Sequence, residues 1–231
     1  MYIVTGVSRG LGKAIVEELL KNNEKVIGIG RTHSLNHSNF SFFECDLSQP
    51  EEIKQLKFPK FSDKVTLINN AGVLGNIKRL SDQSKSDLQE VLNVNVTSPL
   101  ILLQQIYSSV KDKNNFTLVN ISSGAANRAI PSWAGYCASK AALNMLTETF
   151  YLEELEKGNH PTVYAVSPGV IDTDMQVKIR NADKIDFSSV DNFKELKLNN
   201  SLFSAKEAAL KLFLLIEKPF QGEVFQDLRN I

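Results

Sequence analysis

The stretch TGVSRGLG, Thr5 to Gly12, decides how the chain is read. An apolar run, YIVT, leads into it. After it, Leu11, Ile15 and Leu19 recur at four-residue steps, which is one face of a helix. The stretch is therefore a strand-to-helix turn with glycines at 6, 10 and 12. Glycine permits positive φ and close approach of backbone to a ligand. A helix N-terminus behind such a turn offers free N–H groups and the positive end of its dipole to a phosphate. The spacing is G-x-x-x-G-x-G rather than G-x-G-x-x-G, and its position at the first β-to-α crossover points to a dinucleotide.

Outward from that turn, strand-like and helix-like segments alternate. KVIGIG from Lys25, FSFFEC ending at Cys45, KVTLIN from Lys64, FTLVNI from Phe116, TVYAVS from Thr162 and GEVFQ from Gly222 join YIVT as candidate strands, which makes seven. Ala205, Ala208, Ala209, Leu212, Phe213 and Ile216 form a helical stripe, with Ser204 and Glu207 as a capping box; Ser48 and Glu51 offer a second box. Nearly continuous apolar strands alternating with helices predict a seven-stranded parallel sheet flanked by helices on both faces, in a single doubly wound α/β domain over 1–231. The polar segment from Asp172 to about Asn200 carries Met175, Phe187 and Phe193, and its length predicts a substrate lid at about 174–200.

Composition excludes several classes. The 26 basic and 26 acidic residues cancel, which gives no general attraction to nucleic acid or anionic membrane. Cys45 and Cys137 lie too far apart for a metal or redox pair, and His33, His37 and His160 have no metal-ligand spacing. No apolar run is long enough to span a bilayer, and the start looks like a strand rather than a leader, so a cytoplasmic location is expected.

The second strand ends at Arg31 and Thr32 where an acidic residue would hydrogen-bond a ribose 2′-hydroxyl, and Arg9 lies in the glycine turn. Two guanidinium groups suit a 2′-phosphate, so the expected cofactor is NADP(H). Further along, YCASK places Tyr136 and Lys140 one helical turn apart on one face. A cation beside a phenol lowers its pKa, which is one way to tune a proton donor.

These motifs together resemble the short-chain dehydrogenase/reductases over essentially the full chain. The matching segments, in order, are TGVSRGLG, NNAG at 69–72, Asn95 in NVNVTSP, Ser123 in NISSG thirteen residues before Tyr136, Y-x-x-x-K, and SPGVIDT at 167–173. The resemblance implies a Rossmann-type fold and hydride transfer to a carbonyl. It implies Tyr136 as proton donor, Ser123 as the hydrogen-bond partner of the substrate oxygen, and Lys140 as the group that lowers the tyrosine pKa and holds the nicotinamide ribose. Asn95 would hold a water in a proton relay. It assigns Gly6, Ser8, Arg9, Gly10, Leu11 and Gly12 to the cofactor phosphates and Asp46 and Leu47 to the adenine. Asn70, Ala71 and Gly72 fall to the adenosine ribose side, and Pro168, Gly169, Ile171 and Thr173 to the nicotinamide side. Ala125, Trp133 and Met175 are expected in the substrate pocket.

Longer strings, LINNAGV, NISSGAA and SPGVIDTDMQ, resemble the benzil-reductase group of the sepiapterin-reductase-like branch. That likeness implies an NADPH-dependent reductase of 1,2-dicarbonyl compounds, and the family usually assembles as a homodimer or homotetramer through the helices carrying Asn95 and Tyr136. Two alternatives stay open, a 3-oxoacyl thioester reductase and a non-catalytic NADP(H) sensor. A serine hydrolase is disfavoured because no G-x-S-x-G elbow surrounds Ser123.

Overall fold

The computed structural model describes residues 1–231. Seven strands form one parallel sheet: β1 (Tyr2–Thr5), β2 (Val26–Gly30), β3 (Phe40–Glu44), β4 (Val65–Asn69), β5 (Phe116–Ile121), β6 (Thr162–Ser167) and β7 (Phe225–Asp227). Their order is β3-β2-β1-β4-β5-β6-β7, so the chain runs outward one way from β1 and then the other way from β4. Tyr2 is in register with Val26 on one side and Thr66 on the other. In such a sheet the crevice for a ligand opens beyond the carboxyl ends of the strands, at the switch between β1 and β4. The central strands β4 and β5 are buried at every residue, whereas β3 at the edge is not.

The helices are α1 (Gly10–Lys21), α2 (Pro50–Gln55), α3 (Lys85–Leu92), α4 (Ser98–Ser109), α5 (Ala134–Glu156), α6 (Asp174–Arg180), α7 (Val190–Leu198) and α8 (Ala205–Glu217). One core lies between the sheet and α1 and α8, through Ile15, Leu19, Ala209 and Leu212 against Val4, Ile68 and Val119. On the other face, Leu102 and Ile106 of α4 and Ile53 of α2 meet Ile3, Leu67 and Leu118. Burial of the Val, Leu and Ile side chains among these stabilises the fold by roughly 1.5–3 kcal/mol each. The expected lid segment holds the two short helices α6 and α7, which close a smaller third core around Trp133, Phe187 and Val190.

Ser204 and Glu207 make both bonds of the expected capping box of α8. The box expected at Ser48 and Glu51 is absent. Pro50 opens α2 instead, with Gln49 before it and no side-chain cap. Glu51 pairs with Lys54, and the Ser48 N–H donates to Asp46 Oδ1. Proline fixes its own φ and has no N–H to satisfy, so it sets the helix start itself.

Polar pins hold α5 on the sheet. Asn69 Nδ2 donates to Asn120 Oδ1 at 2.8 Å, and Asn120 Nδ2 donates to Thr147 Oγ1 at 2.7 Å. Near the other end of α5, buried Glu154 accepts from Tyr107 of α4, from Lys157 and from Asn159. Buried bonds of this kind are costly to leave unmade, so they fix where α5 can sit.

Candidate active site

A cleft of about 1570 Å³ opens at the carboxyl ends of the strands. At one end lies the glycine turn. Gly6 has φ +71° and Gly10 φ +55°, in the left-handed region that favours glycine. No side chain caps the N-terminus of α1, so its first N–H groups are open to an anion. The turn is braced from the neighbouring strand. Thr5 Oγ1 accepts from the N–H groups of Asn70 and Ala71, and Asn70 Nδ2 donates to the carbonyls of Thr5 (2.9 Å) and Gly6 (3.2 Å). This open, glycine-lined cradle at a helix N-terminus fits a dinucleotide pyrophosphate.

One expectation changes here. Gly12 does not line the cleft. A Cβ on it would lie 2.2 Å from the Gly6 carbonyl oxygen and 2.4 Å from Asn70 Nδ2, so this glycine lets α1 pack against the end of β1. The Asn70 side chain is spent on the turn's own carbonyls and acts as its brace. The remaining positions expected for the cofactor lie on the cleft: Gly6, Ser8, Arg9, Gly10, Leu11, Arg31, Asp46, Leu47, Asn70, Ala71, Gly72, Pro168, Gly169, Ile171 and Thr173. Arg31 has no acidic partner, while Arg9 Nη1 lies 3.1 Å from Asp174 Oδ2 at the start of α6.

Past the nicotinamide-side loop, Ser123, Tyr136 and Lys140 share the same cleft. Ser123 caps the start of the turn after β5, accepting from the Ala125 N–H at 3.1 Å. Tyr136 and Lys140 stand one turn apart on α5, both buried. Lys140 Nζ donates to the Ile121 carbonyl at 2.7 Å and sits 5.8 Å from the centre of the Tyr136 ring.

The electrostatics differ from the expectation that Lys140 depresses the phenol. Burial raises the Tyr136 pKa above its ordinary value, and the Ser123 hydroxyl beside it only partly offsets this. Burial also lowers the Lys140 ammonium to about 8. Desolvation is the largest cause for both groups, because both are buried.

Asn95 is tied to the same helix as Tyr136 and Lys140. It lies in a π-helical turn, Asn93–Thr97, between α3 and α4, fully buried behind the cleft wall. Its Oδ1 accepts from the Val73 N–H at 2.8 Å, and its Nδ2 donates to the Val73 carbonyl (2.8 Å) and to Ser139 Oγ (3.0 Å). The side chain thus ties the loop after β4 to α5. A single π-turn inside a helix is a common device at functional sites.

On the substrate side, Ala125, Trp133 and Met175 line the cleft with Phe193. Trp133 stacks on the fully buried Phe187 (5.3 Å between centres, 14° between planes) and meets the Tyr136 ring edge-on at 5.7 Å. Lys178 of α6 donates to the Gly75 carbonyl at 2.8 Å, and Asp172 pairs with Arg180 (3.3 Å) and Lys197 (2.6 Å). Sequence reading missed the contacts made by Thr5 and Lys178, and missed Arg229 and Ile231, which line the cleft. Thr5 had a signal, its place at the last strand position before Gly6. The C-terminal pair had none, since only the fold brings residue 229 beside residue 169.

A parallel sheet with its cleft at the β1/β4 switch, and a Ser–Tyr–Lys set opposite a glycine turn, define an oxidoreductase that uses a nicotinamide dinucleotide. The chain belongs to the short-chain dehydrogenase family, whose model matches residues 1–184. It is 36% identical over 241 residues to a benzil reductase ((S)-benzoin forming) of Bacillus subtilis, covering 100% of this chain and 98% of that protein. A benzil reductase ((S)-benzoin forming) of Bacillus cereus is 34% identical, with 97% of each covered. Among solved structures, a short-chain dehydrogenase/reductase from Saccharomyces cerevisiae superposes with a TM-score of 0.83 at 29% identity, covering 98% of this chain and 95% of that one.

Proposed function

We propose that the protein reduces one ketone of a 1,2-dicarbonyl compound, with NADPH as the reductant. The observation that carries this reading is the gathering of Ser123, Tyr136 and Lys140 on the cleft that also holds the glycine turn. Full-length similarity to the two benzil reductases selects the substrate class.

Bound NADPH supplies a hydride to the carbonyl carbon. The chain handles the oxygen. Ser123 donates a hydrogen bond to it and holds it at Tyr136. The Tyr136 phenol, kept protonated by burial, transfers its proton to that oxygen as negative charge develops. Lys140, with its pKa near 8, is poised to return a proton to the phenolate near neutral pH and to exchange it with solvent. The net change is one hydride and one proton added to one C=O, giving an α-hydroxy ketone. Asn95 acts one step back by fixing the loop at Gly72 and Val73.

Arg31, unpaired at the end of β2, supports the choice of NADPH over NADH. Arg9 joins it by exchanging Asp174 for the 2′-phosphate. This switch is inexpensive, since both side chains of the pair are more than 70% exposed and such pairs contribute about 0–1 kcal/mol. α6 and α7 serve as the lid over the substrate. Exposed Leu100 of α4 and Met145 and Leu152 of α5 support assembly through those helices. No helix is long and apolar enough to cross a membrane.

The test is turnover of benzil with NADPH by the purified protein, run beside an acetoacetyl thioester. Turnover of benzil with benzoin as product supports the reading. Turnover of the thioester alone transfers the protein to the acyl-reductase branch.

A further inference from the structure

Three successive residues at the end of β5 bond to side chains of α5. Asn120 Nδ2 donates to Thr147 Oγ1 at 2.7 Å, the Ile121 carbonyl accepts from Lys140 Nζ at 2.7 Å, and Ser122 Oγ donates to Asn144 Oδ1 at 2.5 Å. Positions 140, 144 and 147 are i, i+4 and i+7 of a helix, so they lie on one face. Two of these bonds already have an account. Lys140 belongs to the reacting set, and the bond from Asn120 to Thr147 continues the pin that starts at Asn69. The bond between Ser122 and Asn144 has none.

Its place is particular. Ser122 is 5% exposed and directly precedes Ser123. Its N–H donates to the Val166 carbonyl of β6 at 2.7 Å, which fixes the chain within the sheet. Its hydroxyl fixes the same residue against the helix that carries Tyr136. Asn144 stands two turns past Tyr136 on α5 and does not line the cleft. Adjacent Cα atoms are only about 3.8 Å apart, so a shift at Ser122 passes directly to Ser123.

We propose that Asn144 and Ser122 are positioning residues for the reduction: their bond sets the distance between the Ser123 hydroxyl and the Tyr136 phenol, which must meet one carbonyl oxygen. This rests on the roles given to Ser123 and Tyr136 above and deepens them. Rates fall steeply when reacting groups are misplaced, so loss of the bond is felt in the chemical step. NADPH binding is spared, because the bond touches neither the glycine turn nor Arg31.

The readouts are the single-turnover rate of NADPH oxidation with benzil and the NADPH affinity. Asn144→Leu and Ser122→Ala remove the bond from opposite ends. Each is expected to lower the rate about tenfold, the scale of one lost hydrogen bond, with NADPH affinity kept within about twofold. The double variant should be no slower than the slower single one, because both changes remove the same bond. Ser122→Thr, which keeps the hydroxyl, should be faster than the similarly shaped Ser122→Val. In a Ser123→Ala background, Asn144→Leu should change the rate by less than about twofold, since it acts through Ser123. Unchanged rates in both single variants overturn the proposal. So do losses that multiply in the double variant, or a further tenfold loss without Ser123, either of which marks a general loosening of α5. Wild-type protein silent on benzil is a separate result, which overturns the substrate reading itself.

Discussion

Lys140 is anchored to Ile121: its ammonium donates to that residue's carbonyl at 2.7 Å, at the end of the central strand β5. The cation is thereby fixed at the cleft wall, 5.8 Å from the centre of the Tyr136 ring. Its charge is stabilised by a backbone dipole and destabilised by burial, and burial prevails.

That balance predicts a pH effect on stability. The ordinary lysine value is 10.5 and the folded value about 8. Between them the unfolded chain binds more protons than the folded chain, so this residue's contribution to stability rises with pH across that window. Below pH 8 the folded protein bears the full cost of the buried cation, a displacement equivalent to roughly 3 kcal/mol. Denaturant titrations of wild type and Lys140→Met from neutral pH to pH 10 are expected to diverge, with wild type gaining relative to the variant above pH 8. Parallel profiles would dismiss the depressed lysine.

Arg31 and Arg9 give a prediction about cofactor choice. Arg31→Ala is expected to weaken NADPH binding by roughly 2 kcal/mol, about 30-fold, and NADH binding far less, because only NADPH carries the 2′-phosphate. Asp174→Asn should tighten NADPH by up to about 1 kcal/mol through the release of Arg9, with little change in fold stability. Calorimetric titration of both cofactors checks this. Equal losses for NADPH and NADH in the arginine variant would remove the 2′-phosphate role.

Gly12 gives a third prediction. A methyl group at this position meets the Gly6 carbonyl at 2.2 Å, which no backbone contact tolerates. Gly12→Ala is expected to cost about 3 kcal/mol of stability by forcing α1 away from β1, and to weaken both cofactors together as the turn deforms. Denaturation and cofactor titration of the same sample test it. A variant as stable as wild type would show that the helix can shift without strain.

Much of this architecture was legible in the chain for a physical reason. Strands buried on both faces, such as β4 and β5, must be apolar throughout, so VTLIN and FTLVNI announce themselves. The Ser204–Glu207 cap is legible for a different reason, since its partners are only three residues apart. What escaped depended on partners distant in sequence. Asn95 belongs to the Val73 backbone, and Asn70 to the Thr5 and Gly6 carbonyls, and no spacing rule relates those positions. The π-helical turn at Asn93–Thr97 leaves no local mark in NVNVT. The pKa of Tyr136 is not legible either, because sequence shows which charges are near in the chain, while burial depends on everything packed around the ring.

The central claim is that Tyr136 gives the proton in NADPH-dependent reduction of a vicinal diketone. The most direct measurement is the initial rate of NADPH consumption with benzil by wild type and Tyr136→Phe, with NADPH affinity measured alongside. The account predicts that the variant binds NADPH nearly as wild type does and loses turnover by about 10²–10⁴, the range of a positioned acid. Turnover near the wild-type rate in Tyr136→Phe would contradict it.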